Sequence, residues 1–211
     1  MCKLLLATNN AGKAAEYRQL LAGCGWELLT PGELGLRMAA EETGHTYEEN
    51  ATLKALEAAH LSGLHALADD SGLEVDALGG KPGPRAARFG GEEATYQEKM
   101  SLLLEHLQGV PASERGCRFV CVIAMADPQG GVRLCRGECP GLVAEAPQGE
   151  GGFGYDPIFY LPERGLTMAQ LSAEEKNAIS HRGRAAQAAR QVLKELLHEY
   201  QQRLRAGQAT D

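Results

Sequence analysis

The stretch Lys3-Leu4-Leu5-Leu6-Ala7-Thr8-Asn9-Asn10-Ala11-Gly12-Lys13 decides the fold. Its first part is an apolar run suited to a strand buried on both faces. Asn9 or Asn10 can cap a helix over residues 11–22, whose Ala15, Leu20 and Leu21 fall on one packed face. Gly23 and Gly25 close that helix, and residues 26–29 read as a second short strand. Strand, helix and strand in fewer than 30 residues predict an α/β layer.

The chain has 211 residues, enough for one large domain or two small lobes. At 44 % its apolar fraction is that of a globular protein, and no segment approaches the run of about 20 apolar residues that crosses a bilayer. The start carries one basic residue and a short apolar run, then Thr-Asn-Asn instead of a small-residue cleavage site. The expectation is a soluble, cytoplasmic chain with no membrane partner. A formal charge of −7 argues against a nucleic-acid binder, which carries a basic surface. A single nucleotide is a different matter, because a few placed lysines can hold one triphosphate.

Six cysteines raise the question of a framework. Cys117 and Cys121 are spaced like Cys135 and Cys139, but both pairs fall in predicted strands, where four residues span roughly 13 Å. Two ligands of one zinc, each bonded at about 2.3 Å, cannot sit that far apart. With a hairpin around Asp127-Pro128-Gln129-Gly130, Cys117 is expected to face Cys139 and Cys121 to face Cys135, as buried reduced thiols.

Further along, Thr46-Tyr47-Glu48-Glu49 is a capping box opening a helix that runs to about Ser62 and ends at Gly63. Ala66-Leu67-Ala68 is a short strand entering Asp69-Asp70-Ser71-Gly72, where Ser71-Gly72 is expected to turn the chain. A turn cluster covers residues 79–84, a helix 95–108, and strands 118–126 and 132–138. A loop at 153–157 enters another strand, and a last helix spans about 181–204 before a polar tail at 206–211.

Four segments carry chemistry. Ligands of open α/β sheets bind beyond the carboxyl ends of strands, which is where Asp69-Asp70 falls. Adjacent strand residues face opposite ways, so only one of the two is expected to enter a given site. Magnesium takes one or two carboxylates plus water and phosphate oxygens, so Asp70 with Glu41 or Glu42 suffices. Residues 8–13 lie between a strand and a helix N-terminus, a ready anion site to which Lys13 adds a point charge, although the Walker A spacing is absent. Gly149, Gly151 and Gly154 match G-x-G-x-x-G literally, but Pro157 disfavours the helix that a dinucleotide site needs. Those glycines instead let a loop approach a ligand, with Phe153 free to stack on a base. Lys176-Asn177-Ala178-Ile179-Ser180-His181-Arg182 adds a good N-cap, Ser180, among cations that oppose the helix dipole, which suggests an anionic or carbonyl-bearing partner.

In order, Ala7–Lys13, Tyr47-Glu48-Glu49-Asn50-Ala51, Ala68-Asp69-Asp70-Ser71-Gly72-Leu73, Gly151-Gly152-Phe153-Gly154-Tyr155-Asp156-Pro157 and the 176–182 segment resemble the inosine triphosphate pyrophosphatase family, over nearly the whole chain. The resemblance implies a homodimer of two-lobed α/β subunits, each a mixed sheet flanked by helices with the nucleotide in the cleft between lobes. It implies hydrolysis of deaminated purine nucleoside triphosphates (ITP, dITP, XTP) to monophosphate and pyrophosphate with Mg2+. It assigns Thr8, Asn9, Asn10, Ala11, Gly12, Lys13 and Lys176 to the triphosphate. Asp70 becomes catalytic base and metal ligand, with Glu41 or Glu42 sharing the metal, and Ser71 touches the substrate. Phe153, Gly154, Tyr155, Asp156, His181 and Arg182 hold base and sugar. The chain departs at Ala86-Ala87-Arg88, where the family shows Ser-Ala-Arg. Donors at His181 and Arg182 suit a 6-oxo purine, and adenine would leave them unpaired at about 1–3 kcal/mol each. A Maf-type pyrophosphatase for pyrimidine or modified bases and a sensing module without turnover are the competing readings.

Overall fold

The computed structural model describes residues 2–38 and 43–208, the last of these, 203–208, as backbone only. Glu41 and Glu42, the expected metal carboxylates, lie outside the described residues, as do 209–211 at the end of the expected polar tail. Eight strands form one mixed sheet. β1 (Cys2–Leu6) pairs in parallel with β2 (Trp26–Leu29) and with β3 (His65–Val75). β3 then pairs antiparallel with the short β4 (Lys81–Gly83) and with β5 (Gly116–Ala126). β6 (Val132–Val143), β7 (Phe159–Leu161) and β8 (Leu166–Thr167) continue the sheet in antiparallel order.

Alternation along the strands sorts the core onto both faces. Leu4, Leu6, Leu67, Cys121 and Ile123 face α1 (Ala11–Leu20) and the long α5 (His181–Gln208), whose Ala185, Ala186, Ala189 and Leu193 are fully buried. The Trp26 indole N–H donates to the Leu193 carbonyl at 3.0 Å and ties α5 to the sheet edge. Leu5, Ala7, Ala66, Ala68, Val122 and Ala124 face α2 (Tyr47–Ser62). That helix presents Ala51, Ala55, Ala58 and Ala59, and small residues on both sides bring it close to the sheet. A third cluster gathers Leu73, Val75, Cys117, Phe119, Phe159 and Val143 beneath α3 (Tyr96–His106). The long strands β3 and β5 therefore contribute their two halves to different cores. Each large apolar side chain so buried contributes about 1.5–3 kcal/mol.

Local signals held where the cause was local. The Thr46–Glu49 capping box is formed, and matching boxes at Thr95–Glu98 and Ser172–Glu175 open α3 and α4 (Ala173–Ile179). Ser180 accepts a hydrogen bond from the Gly183 N–H at 3.1 Å, the cap expected of it. Lys176, before the last helix as expected, lies within α4, a short helix the sequence reading did not include. The last helix reaches Gln208, beyond its expected end.

Two expectations fail. Ser71-Gly72 does not turn. β3 runs extended to Val75 because β5 pairs with it without interruption from Ala66↔Ala126 to Val75↔Cys117. The cysteines are also out of register. Asp127 Oδ1 accepts from the N–H groups of Gln129 and Gly131, so the hairpin loop centres on Gln129 and closes at Ala126↔Val132. Cys121 then faces Gly137 and Cys139 faces Phe119, and all six cysteines are free thiols.

Candidate active site

β1 ends at Leu6, with Ala7 N–H donating to the Leu67 carbonyl, and β4 joins β3 only at Leu73. Among the described residues, one edge of β3 is uncovered between those points, and a cavity of about 720 Å³ opens there. Because the cavity wraps an open edge, it reaches both faces of the strand. Asp69 and Asp70 point to opposite faces, as alternation requires, yet both line it. The expectation that only one of them enters the site is corrected on that ground.

On the α1/α5 face, six charged side chains form a chain. Lys13 Nζ lies 3.0 Å from Asp69 Oδ2, and Arg182 Nη2 reaches the same oxygen at 3.3 Å and donates to Ser71 Oγ at 3.1 Å. Arg182 Nη1 is 2.7 Å from Glu16 Oε2, whose other oxygen is 2.8 Å from Lys176 Nζ. Lys176 continues to Asp156 Oδ2 at 2.6 Å, an oxygen that also accepts from the Phe153 N–H at 2.8 Å. Three cations meet three anions. Lys176 and Arg182 of the segment before the last helix, read from sequence as facing an anionic or carbonyl-bearing partner, are thus also paired with acids of the chain itself.

Burial sets the electrostatics. It would raise the Asp69 carboxyl, but Lys13, Arg182 and Lys54 overcome it and hold the group below the usual carboxylate range. Burial raises the Asp156 carboxyl against the opposing pull of Lys176. His181 is pushed well below its ordinary value by burial and then by Arg182 and Lys176, so its imidazole is neutral near pH 7. Its ring stacks on Phe119 at 4.6 Å. Among the described residues, His181 Nδ1 and Arg182 Nε are buried without a hydrogen-bond partner, and both residues line the cavity. Buried polar atoms of that kind cost about 1–3 kcal/mol unless something pairs with them.

On the α2 face, Asp70 Oδ1 is 3.2 Å from Lys54 Nζ, and Asp70 Oδ2 accepts from Asn50 Nδ2 at 3.2 Å. Among the described residues, Asn50 Oδ1 is buried and unpartnered. Asn50 and Lys54 are four residues apart, one turn along the helix, and so present themselves together. A carboxylate beside an unsatisfied amide oxygen is an all-oxygen donor pair, which fits magnesium carried in by phosphates.

Of the residues singled out by sequence, Thr8, Asn9, Asn10, Lys13, Asp70, Ser71, Phe153, Gly154, Tyr155, Asp156, Lys176, His181 and Arg182 line this cavity. Ala11 and Gly12 do not. Asn10 caps α1 through Lys13 N–H at 3.0 Å, and Gly12 lies against Phe153, where a Cβ would meet ring carbon Cδ1 at 2.9 Å. Lys176 and Arg182 flank that ring, 4.5 and 5.4 Å from its centre. Sequence reasoning missed Glu16, Lys54 and Asn50. The available signals were helical spacings, Glu16 three residues after Lys13 and Lys54 four after Asn50.

The Ham1 family profile matches residues 4–192. The chain belongs to the Ham1 family. A dITP/XTP pyrophosphatase of Desulforamulus reducens is 50 % identical over 92 % of this chain and 96 % of that protein. One of Escherichia coli O157:H7 is 51 % identical over 88 % of this chain and 94 % of that one. Among solved structures, a HAM1 protein from Coxiella burnetii superposes with a TM-score of 0.84 at 42 % identity, covering 92 % of this chain and all of that one. The mixed sheet with flanking helices is thus a Ham1 fold.

Proposed function

We propose that this Ham1 protein hydrolyses deaminated purine nucleoside triphosphates (ITP, dITP and XTP) to the monophosphate and pyrophosphate in the cleft beside β3. What carries the reading is half identity, over nine-tenths of the chain, to proteins that bear the name dITP/XTP pyrophosphatase. The His181 and Arg182 side chains on the cavity wall support it, because a 6-oxo purine accepts from donors there that adenine would leave unpaired.

Lys13, the most exposed cation of the network, neutralises the triphosphate beside the N-terminus of α1. Phe153 stacks on the base. Asp156 and Lys176, joined to each other and to that loop, fix its edge, so Lys176 serves the base more directly than the phosphates. Asp70 orients a water and takes its proton as the water oxygen bonds to the α-phosphorus. The α–β anhydride breaks as it does so, and pyrophosphate leaves. Lys54 and Asn50 hold the carboxylate in place. Asp70 and Asn50 Oδ1, with Glu41 or Glu42 as the resemblance implies, are the groups to hold magnesium. When bound it supplies positive charge to the phosphate oxygens. The domain is read as a single two-lobed unit over 1–211, acting as a cytoplasmic homodimer. Among the described residues, no helix is long and apolar enough to cross a membrane.

Hydrolysis of dITP in ¹⁸O-labelled water tests the bond that breaks. The expected outcome is label in dIMP and none in pyrophosphate. Label in orthophosphate, with dIDP as co-product, would mean attack at the γ-phosphorus and a different enzyme.

A further inference from the structure

Lys99 stands on α3 outside the charged network, yet it is only 4 % exposed. Its ammonium donates to the Ala87 carbonyl at 2.6 Å and lies 5.1 Å over the Tyr96 ring. The ammonium thus gives its hydrogen bond to a backbone carbonyl, with the exposed Glu98 carboxylate acting on it from the neighbouring residue. The neighbouring carbonyl, that of Ala86, accepts from the Tyr155 hydroxyl at 2.9 Å. Tyr155 in turn packs edge-on against Tyr96 at 5.6 Å. Two consecutive carbonyls of one turn are therefore gripped by side chains from two elements. That turn, Ala86–Arg88, ends in an arginine on the wall of the cleft.

We propose that Lys99 is a positioning residue for nucleotide binding, fixing the Ala86–Arg88 turn and thereby setting Arg88 on the cleft wall. The inference rests on reading the cleft as the nucleotide site. Arg88 provides the contact to the bound anion, and Lys99 acts through it. The charge of Lys99 matters because a hydrogen bond from an ammonium to a carbonyl is stronger than a neutral one. Tyr96 shields that bond on one side and, through Tyr155, links it to the loop at 153–156.

The test is a double-mutant cycle read by calorimetric binding of the α,β-imido analogue of dITP, whose α–β linkage resists hydrolysis, with dITP turnover and thermal unfolding measured alongside. Arg88→Ala and Lys99→Met are each expected to weaken binding about tenfold, the loss of one charge-assisted contact. In the Arg88→Ala background, Lys99→Met is expected to add less than twofold, whereas with Arg88 present Lys99→Arg is expected to keep most of the wild-type affinity. A merely structural lysine would lower the melting temperature while its effect on affinity added in full to that of Arg88→Ala. That additivity, or unchanged affinity in Lys99→Met, overturns the inference. Should Lys99→Met fail to fold, Lys99→Gln, polar and one bond too short for the carbonyl, takes its place in the cycle. A wild type that binds the analogue and shows the coupling but does not hydrolyse dITP would sink the proposed activity and leave Lys99 in its role. A wild type that does not bind the analogue overturns both.

Discussion

Replacing Asp70 by asparagine removes one charge and almost no volume. Asn50 and Lys54 keep their neighbour's shape, so Asp70→Asn is expected to fold and to bind dITP while kcat falls about 10²- to 10⁴-fold, the share of a positioned general base. Circular dichroism and pyrophosphate release on the same sample check this, and near-wild-type kcat would remove Asp70 from the chemistry. His181 lends itself to a pH test. Its folded pKa lies below the ordinary 6.5, so the unfolded chain binds more protons at mildly acidic pH, and stability falls as pH drops through and below 6.5. The Asp69 contribution has the same sign in a lower window. It is fully present above the ordinary 3.8 and is lost only as pH falls below it. Urea unfolding between pH 7 and about pH 5 is therefore expected to show a slope that flattens in His181→Gln, and an equal slope in both proteins would contradict a neutral buried imidazole. At this scale, residue types were legible in the sequence and their partners were not. Asp70 announced itself by its place after an apolar strand. Nothing local said that its companion Asp69 would be tied to Lys13 and Arg182 across 56 and 113 positions.

Helices and strands differed in how far they could be read. α2 was legible because its capping box is closed by residues three apart, whereas the short α4, opened by a box of the same kind at Ser172–Glu175, went unread. The length of β3 was not, since Ser71-Gly72 carries turn chemistry and only continuous pairing with β5 keeps it straight. The hairpin register slipped by two for a related reason. The side chain of Asp127 organises the loop, and a four-residue motif does not reveal where the strands close. The contact between the start of α1 and the 153–156 loop belongs to this scale as well. Gly12→Ala places a methyl against Phe153 Cδ1 and 3.2 Å from the Asn10 cap oxygen. The ring must shift, while alanine improves the helix by up to about 1 kcal/mol. The expected result is a KM for dITP raised about three- to tenfold with a melting temperature hardly changed. A KM equal to wild type would mean that the ring's position does not govern binding.

Taken whole, a chain of net charge −7 sets three of its cations, Lys13, Lys176 and Arg182, among three acids beside the cleft. In the proposed mechanism the strand alternation that separates Asp69 from Asp70 also divides the work, with Asp70 by the α2 face for the reacting phosphorus, Lys13 for the phosphates and the rest of the ion chain by α5 for the base. The α/β class and the segments of the site were visible in the sequence. The ion chain and the open edge of β3 required the tertiary structure, because they depend on where β1 stops and β4 begins. The measurement that tests the central claim most directly is pyrophosphate release from dITP, XTP, GTP, ATP and dTTP, each with and without magnesium. The account expects magnesium-dependent turnover of dITP and XTP, with ATP and GTP about a hundredfold poorer or worse. Equal turnover of ATP, or preference for dTTP, would contradict it.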